Sequence, residues 1–176
     1  MNILASLRTF DGKHTDILEQ LNATLPRNDN SLEELLAIAT HDNVQLQVGS
    51  TWILKRWHDE GEPIIETRIP TFVEVLIHAE YWEVRLHMLQ ILATISIPPN
   101  IAAALKKTLR KLLTEDNKFV RGWAYSVFAS IGDQDSSCRK QILSLLDEAE
   151  NDEAASVKAR VRQIRKRYSW AKPSNS

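Results

Sequence analysis

At 176 residues the chain is the size of one ordinary domain, with 43% hydrophobic and 26% charged residues, a balance suited to a soluble globular protein. Its net charge of −1 excludes a general electrostatic pull toward nucleic acid or a membrane surface, so any such pull must be local. A single cysteine, Cys138, excludes an intramolecular disulfide, and 6 Pro with 5 Gly favour long helices over many turns.

In chain order, Met1 to Phe10 reads as a short helix ended by Asp11-Gly12. Thr15 caps a second helix to about Thr24, and Ser31 with Glu34 forms a capping box that opens SLEELLAIAT. Asp42 with Gln45 repeats that logic and starts a helix to about His58, stopped by Gly61 and Pro63. Residues 59–68 are the longest connection. Pro70 suits the first turn of a helix to Ala79. Another helix runs from Tyr81 toward Pro98-Pro99, and Asn100 caps the next, to about Thr114. A further helix begins near Asn117 and is expected to end at Gly132. Ser136 or Ser137 caps QILSLLDEAE, and a last helix runs to about Tyr168, leaving SWAKPSNS as a loose tail. No segment reads as a strand. No apolar run approaches a membrane span, and the opening MNILASLRTFDGK lacks the basic start and long apolar core of a secretory signal. A cytoplasmic location is the expectation.

Two of these segments repeat one pattern. YWEVRLHMLQILATI follows Glu80 and NKFVRGWAYSVFASI follows Asp116. From Val84 the apolar positions are Met88, Ile91, Leu92 and Ile95; from Val120 they are Ala124, Val127, Phe128 and Ile131. That spacing marks one stripe of an α-helix. Val44 and Val157 open similar stripes at 40- and 37-residue offsets. The next residue is Gln45, Arg85, Arg121 or Lys158, and a shorter apolar helix precedes each stripe. This pattern resembles the HEAT repeat, a pair of antiparallel helices of about 35–47 residues with an acidic turn and a Val-Arg opening to its second helix. The resemblance covers about residues 31–168. It implies an all-α, right-handed α-solenoid of about four HEAT-like pairs, with N-terminal capping helices in 1–30 and a tail at 169–176. Gln45 and Arg165 depart from the pattern in the first and last units, where outer faces meet water instead of a neighbour.

The base column of Arg85, Arg121 and Lys158 could bind phosphate, but pairing with the turn acids Glu80, Asp116 and Glu153 is the favoured reading. The face opposite the buried stripe is expected to line an inner surface. It carries Leu46, Ser50 and Ile53, then Leu86, Gln90 and Ala93, then Gly122, Ser126 and Ala129, and finally Ala159, Gln163 and Lys166. Such a groove accepts an amphipathic peptide, unless neighbouring second helices cover it. Trp52 is expected in the core. Trp82, beside Tyr81, takes a turn position matched by Asp42, Lys118 and Ala155, and is read as a contact residue. Trp123 lies near the inner rim, where packing between repeats competes with contact. The last helix and Lys172 hold 7 of the 22 Lys and Arg residues, either as a solvated end cap or as a local nucleic-acid footprint. His58, Asp59, Glu60 and Glu62 could catch a metal, though a solvated loop of this kind ordinarily binds none.

No phosphate loop, HExxH, paired cysteines or nucleophile elbow occurs, and no cofactor is implied. The function expected is therefore a non-catalytic module that binds a protein or peptide. Leu46, Leu86 and Gln90 would form its groove, Tyr81 and Trp82 an anchoring edge, and Trp123, Ser126, Arg160, Arg162, Gln163 and Lys166 the remaining contact set. The second reading is DNA binding, in the manner of alkylpurine DNA glycosylases, which the chain resembles only through the repeat. Its inner column lacks the carboxylate such chemistry needs.

Overall fold

The computed structural model describes residues 2–173, and among them it is all-α, with ten α-helices and no strand. In chain order these are α1 (Ile3–Leu7), α2 (Asp16–Thr24), α3 (Asp29–Ile38), α4 (Val44–Asp59) and α5 (Ile69–His78). They are followed by α6 (Trp82–Leu92), α7 (Pro99–Leu112), α8 (Lys118–Gln134), α9 (Arg139–Asp152) and α10 (Ala155–Arg167). Short 3₁₀ turns occupy Pro63–Arg68, Ser136–Cys138 and Ser169–Ala171. The chain gathers into two compact units, Met1–Ile91 and Leu92–Ser176.

Asparagine caps set the starts of several helices. The side-chain oxygens of Asn28, Asn43 and Asn117 accept backbone N–H groups of the first turns of α3, α4 and α8, an arrangement that stabilises a helix by about 1 kcal/mol. The expected capping residues Ser31 and Asp42 therefore sit one turn too late and one residue too early. Ser31 lies inside α3, where its N–H donates to Asn28 Oδ1 at 3.0 Å. Pro98 holds the cap position of α7 and Pro99 its first residue, displacing the expected Asn100 cap. Pro70 stands in the first turn of α5 as its fixed φ predicts.

In the first unit, α3 and α4 pack together, and both α1 and α2 lie against α4. The contact with α1 and α2 buries the face of α4 that was expected to line the inner surface. Leu46, Ser50, Ile53 and Trp57 are buried, whereas Val44 and Val48 are only half-buried. At Gly49 an added Cβ would meet Leu7, Leu18 and Phe10 side chains at 3.0–3.3 Å. The N-terminal helices thus use the face that the repeat pattern left open. The Pro63–Arg68 turn closes the long connection by burying Ile65 completely.

In the second unit, α8 packs against α7, α9 and α10. Val120, Ala124, Val127 and Phe128 of α8 are buried, as are Val157, Val161 and Ile164 of α10. The stripe beginning at Val120 and the one beginning at Val157 thus face inward as their spacing predicts. The helix α8 continues two residues beyond Gly132, so this glycine is not the expected cap. A Cβ there would come within 2.7 Å of Trp170 Cη2 and 2.9 Å of Ile142 Cδ1; its bare Cα makes room for an indole. Trp170 also donates its Nε1–H to Asp133 Oδ1 at 3.2 Å. Ser169–Ala171 is therefore a docked turn, not the loose segment expected, while Ser174 to Ser176 lie outside the described residues.

Candidate functional site

The basic column is structural. Arg85 Nε donates to the Ala79 carbonyl at 2.8 Å, Arg121 Nη1 to those of Glu115 and Asp116 at 2.6 and 3.0 Å, and Lys158 Nζ to that of Asn151 at 3.2 Å. Each base thus ties its own helix to carbonyls at the end of the preceding helix or in the turn that follows it. Arg121 Nε also pairs with Glu153 Oε2 at 2.9 Å, both side chains being mostly buried. That contact joins α8 to the turn before α10, the link between repeats that the acid-and-base pattern anticipates. Gln45, which replaces the base in the first unit, donates to the Asp11 carbonyl instead.

Two clefts and one exposed edge hold most of the remaining expected contact residues. The first cleft, about 210 Å³, is lined by Trp52, Lys55, Arg56, Asp59, His87 and Gln90. Trp52 is half-buried here, and Trp57 takes the core position expected for it. His87 Nδ1 lies 3.0 Å from Thr51 Oγ1. Thr51 Oγ1 also lies 2.8 Å from the Gln47 carbonyl and 3.2 Å from that of Val48, so the hydroxyl ties the imidazole to the backbone of α4. Burial, with a smaller contribution from the Lys55 ammonium, pushes the imidazole pKa down to about 4. The cations at this cleft are already answered: Lys55 pairs with Asp59, and Arg56 Nε with Glu60 Oε1 at 2.8 Å.

The second cleft, about 180 Å³, lies between α8 and α10. It is lined by Ala93, Thr94, Trp123, Ser126, Arg160, Gln163, Ile164, Arg167 and Tyr168. It brings together four of the expected contact residues: Trp123, Ser126, Arg160 and Gln163. The Arg160 guanidinium sits 3.9 Å from the Trp123 ring centroid, a cation–π geometry. Burial lowers its pKa from the ordinary arginine value, yet it stays charged. Its aliphatic stem passes Gly122, where an added Cβ would stand 3.6 Å from Arg160 Cβ. Among the described residues, Arg160, Arg162, Lys166 and Arg167 form no ion pair, and no carboxylate lines the cleft. Arg162 and Lys166 are exposed on α10 outside it.

Much of the rest of the expected inner wall is covered. Leu46 is 3% exposed and belongs to the core under α1 and α2, so it lines no groove. Gly122 and Ala129 are buried with Ser126 beneath the α8 and α10 packing, Ser126 reaching only the cleft floor. Leu86 is half-buried, and Gln90 joins the first cleft. The exposed edge lies elsewhere. Ile77, Tyr81 and Trp82, at 40%, 43% and 42% exposure, flank the turn between α5 and α6. Phe119 is also exposed, at the start of α8.

Arg165 has a role that its spacing in a basic helix concealed. Its side chain is 7% exposed. It donates to the Ala171 carbonyl at 2.6 Å and Asp147 Oδ1 at 2.5 Å, and it pairs with Glu150 Oε2 at 3.0 Å. The acids just upstream in sequence, Asp147 and Glu150, were the available signal. The carboxylates offered as metal ligands are similarly occupied: Arg27 reaches Glu60 Oε2 at 2.7 Å and Glu62 Oε1 at 3.7 Å, with its guanidinium over Trp57. Cys138 donates to the Asp135 carbonyl at 3.1 Å, and burial raises its thiol pKa, which lowers the thiolate fraction a nucleophile needs.

No described helix is long and apolar enough to cross a membrane. No curated protein matches this chain in sequence. Residues 69–164, more than half of the chain, match the family of HEAT repeats. With this match, the successive helix pairs and the bases bound to the turns before Val84, Val120 and Val157 have a common origin: the chain belongs to the HEAT-repeat family.

Proposed function

We propose that this chain is a non-catalytic interaction module that holds a protein or peptide partner, in a cytoplasmic setting consistent with its single cysteine. HEAT repeats generally serve as scaffolds for protein interaction. One observation carries the reading: three large apolar or aromatic side chains, Ile77, Tyr81 and Trp82, are left at least 40% exposed around one turn. A Trp at this register position does no work for the repeat, since its counterparts are Asp42, Lys118 and Ala155. Tyr and Trp are the residue types most enriched among the anchors of protein interfaces.

The test is a comparison of wild-type chain with a Tyr81→Ser, Trp82→Ala double variant as bait in lysate of the native host. Both positions are exposed, so helicity by circular dichroism should be unchanged. Loss of two anchors at about 2 kcal/mol each lowers affinity by roughly several hundred-fold, and the partner should disappear from the variant's eluate. A partner recovered equally by both baits defeats the assignment of this edge. A partner fraction that vanishes on nuclease treatment favours nucleic acid instead.

A further inference from the structure

A second surface offers more chemical detail. We propose that the cleft between α8 and α10 receives an apolar side chain from an acidic segment of a partner protein. This inference rests on the reading of the chain as an interaction module but uses a surface separate from the Tyr81 and Trp82 edge. The floor of the cleft is largely carbon, from Ala93, Trp123 and Ile164, and its volume of about 180 Å³ suits one large apolar side chain. The rim is cationic, with Arg160 and Arg167 two turns apart on one face of α10. Neither forms an ion pair among the described residues. The contrast with the first cleft is the deciding observation: there Lys55 and Arg56 are matched by Asp59 and Glu60, whereas here no described residue supplies the complementary anions.

Arg160 is preorganised for that role. The cation–π contact with Trp123 at 3.9 Å restrains the side chain, so less of its freedom remains to be lost when a carboxylate arrives. Its partial burial weakens water's competition for the same donors. Gln163, exposed on the rim, adds an amide that can bond a peptide backbone. A nucleic-acid strand fits less well. The chain's net charge of −1 provides no broad phosphate-binding field.

A random ten-residue peptide library displayed on phage, panned on the full chain, tests this directly. The chain carrying Arg160→Met and Arg167→Met serves for counter-selection; methionine keeps an apolar stem over Trp123. The recovered pool should be rich in Asp and Glu flanking a Leu, Ile, Met or Phe. Synthetic peptides from it should bind the double variant at least tenfold more weakly, and weaken as salt rises. A second variant, Gln163→Glu, puts a carboxylate on the exposed rim and should also weaken them, which keeps the test decisive if the first variant folds poorly. An empty pool, a pool without acidic residues, or peptides that bind wild type and both variants equally overturns the proposal. A twelve-nucleotide single strand that binds more tightly than every selected peptide, and loses affinity in the double variant, also overturns it. If the peptides fail while capture through Trp82 persists, the cleft reading falls and the module reading stands.

Discussion

Replacing Arg165 with methionine probes how the end of the chain is held. The guanidinium is 7% exposed and bridges three groups: the Ala171 carbonyl, Asp147 and Glu150. Each hydrogen bond involving a charged group contributes about 1.5–3 kcal/mol in favourable settings. The carboxylates will recover water readily, because Asp147 is 63% and Glu150 33% exposed, so their pairs are discounted toward surface values. Removing Arg165 also relieves a cost, since its Nε is buried without a partner. What is not recovered is the Ala171 carbonyl, which loses its donor at 2.6 Å. The net loss is about 1–3 kcal/mol, or a fall of about 3–8 °C in Tm for a chain of this size. Differential scanning calorimetry measures it, and limited trypsin digestion gives a local readout, because release of Ser169–Ala171 exposes the bond after Arg167. An unchanged Tm with an unchanged digestion pattern would refute the bridging role. Glu150→Gln should cost less than 1 kcal/mol in the same assays.

Three further outcomes follow from the packing. The His87 imidazole is held at about 4 in the fold against an ordinary 6.5. Between those values the unfolded chain binds a proton that the native state refuses, so stability drops as pH falls from 6.5 toward 4, by up to about 3 kcal/mol. His87→Gln should flatten that part of a urea-denaturation profile; identical pH dependence in both chains contradicts it. Gly132→Ala should destabilise by about 1–2 kcal/mol, because crowding against Trp170 and Ile142 outweighs the gain in helix propensity. In a Trp170→Ala background the same change should become neutral or stabilising, and thermal melts of the four chains would reveal any failure of this coupling. Trp82→Ala and Phe119→Ser, at exposed positions, should each alter unfolding free energy by less than about 0.5 kcal/mol, and a larger loss in either would mean that the ring packs in the fold.

The repeat was legible wherever a second helix buries the stripe that its own spacing marks. Val84, Val120 and Val157 are each fully buried, as the four- and seven-residue steps require. Val44 breaks the rule because α1 and α2 cover the other face of α4, a long-range event that periodicity cannot encode. The same event turned Leu46 from an expected groove residue into core and moved Trp52 outward. Gly132 misled for a related reason: a glycine needed for close approach of an indole looks, in sequence, like one that ends a helix. The contact residues fared unevenly. Exposure of Tyr81 and Trp82 followed from their turn position, and that of Gln163 from its place on α10 away from the buried Val157, Val161 and Ile164 stripe. The stacking of Arg160 on Trp123 joins residues 37 positions apart, and no local signal predicts it. The pairing of Arg165 was foreshadowed only by upstream acids whose register to α10 is set by folding.

The interaction surface can be tested in place by photo-crosslinking. With p-benzoylphenylalanine substituted at Trp82, illumination of the native host's cells should yield a discrete adduct of this chain with another protein. The same amino acid at Lys107, exposed on α7, should yield little of it. Equal adducts from both positions, or none from position 82 while the chain is folded and expressed, would contradict a partner-binding role for this edge.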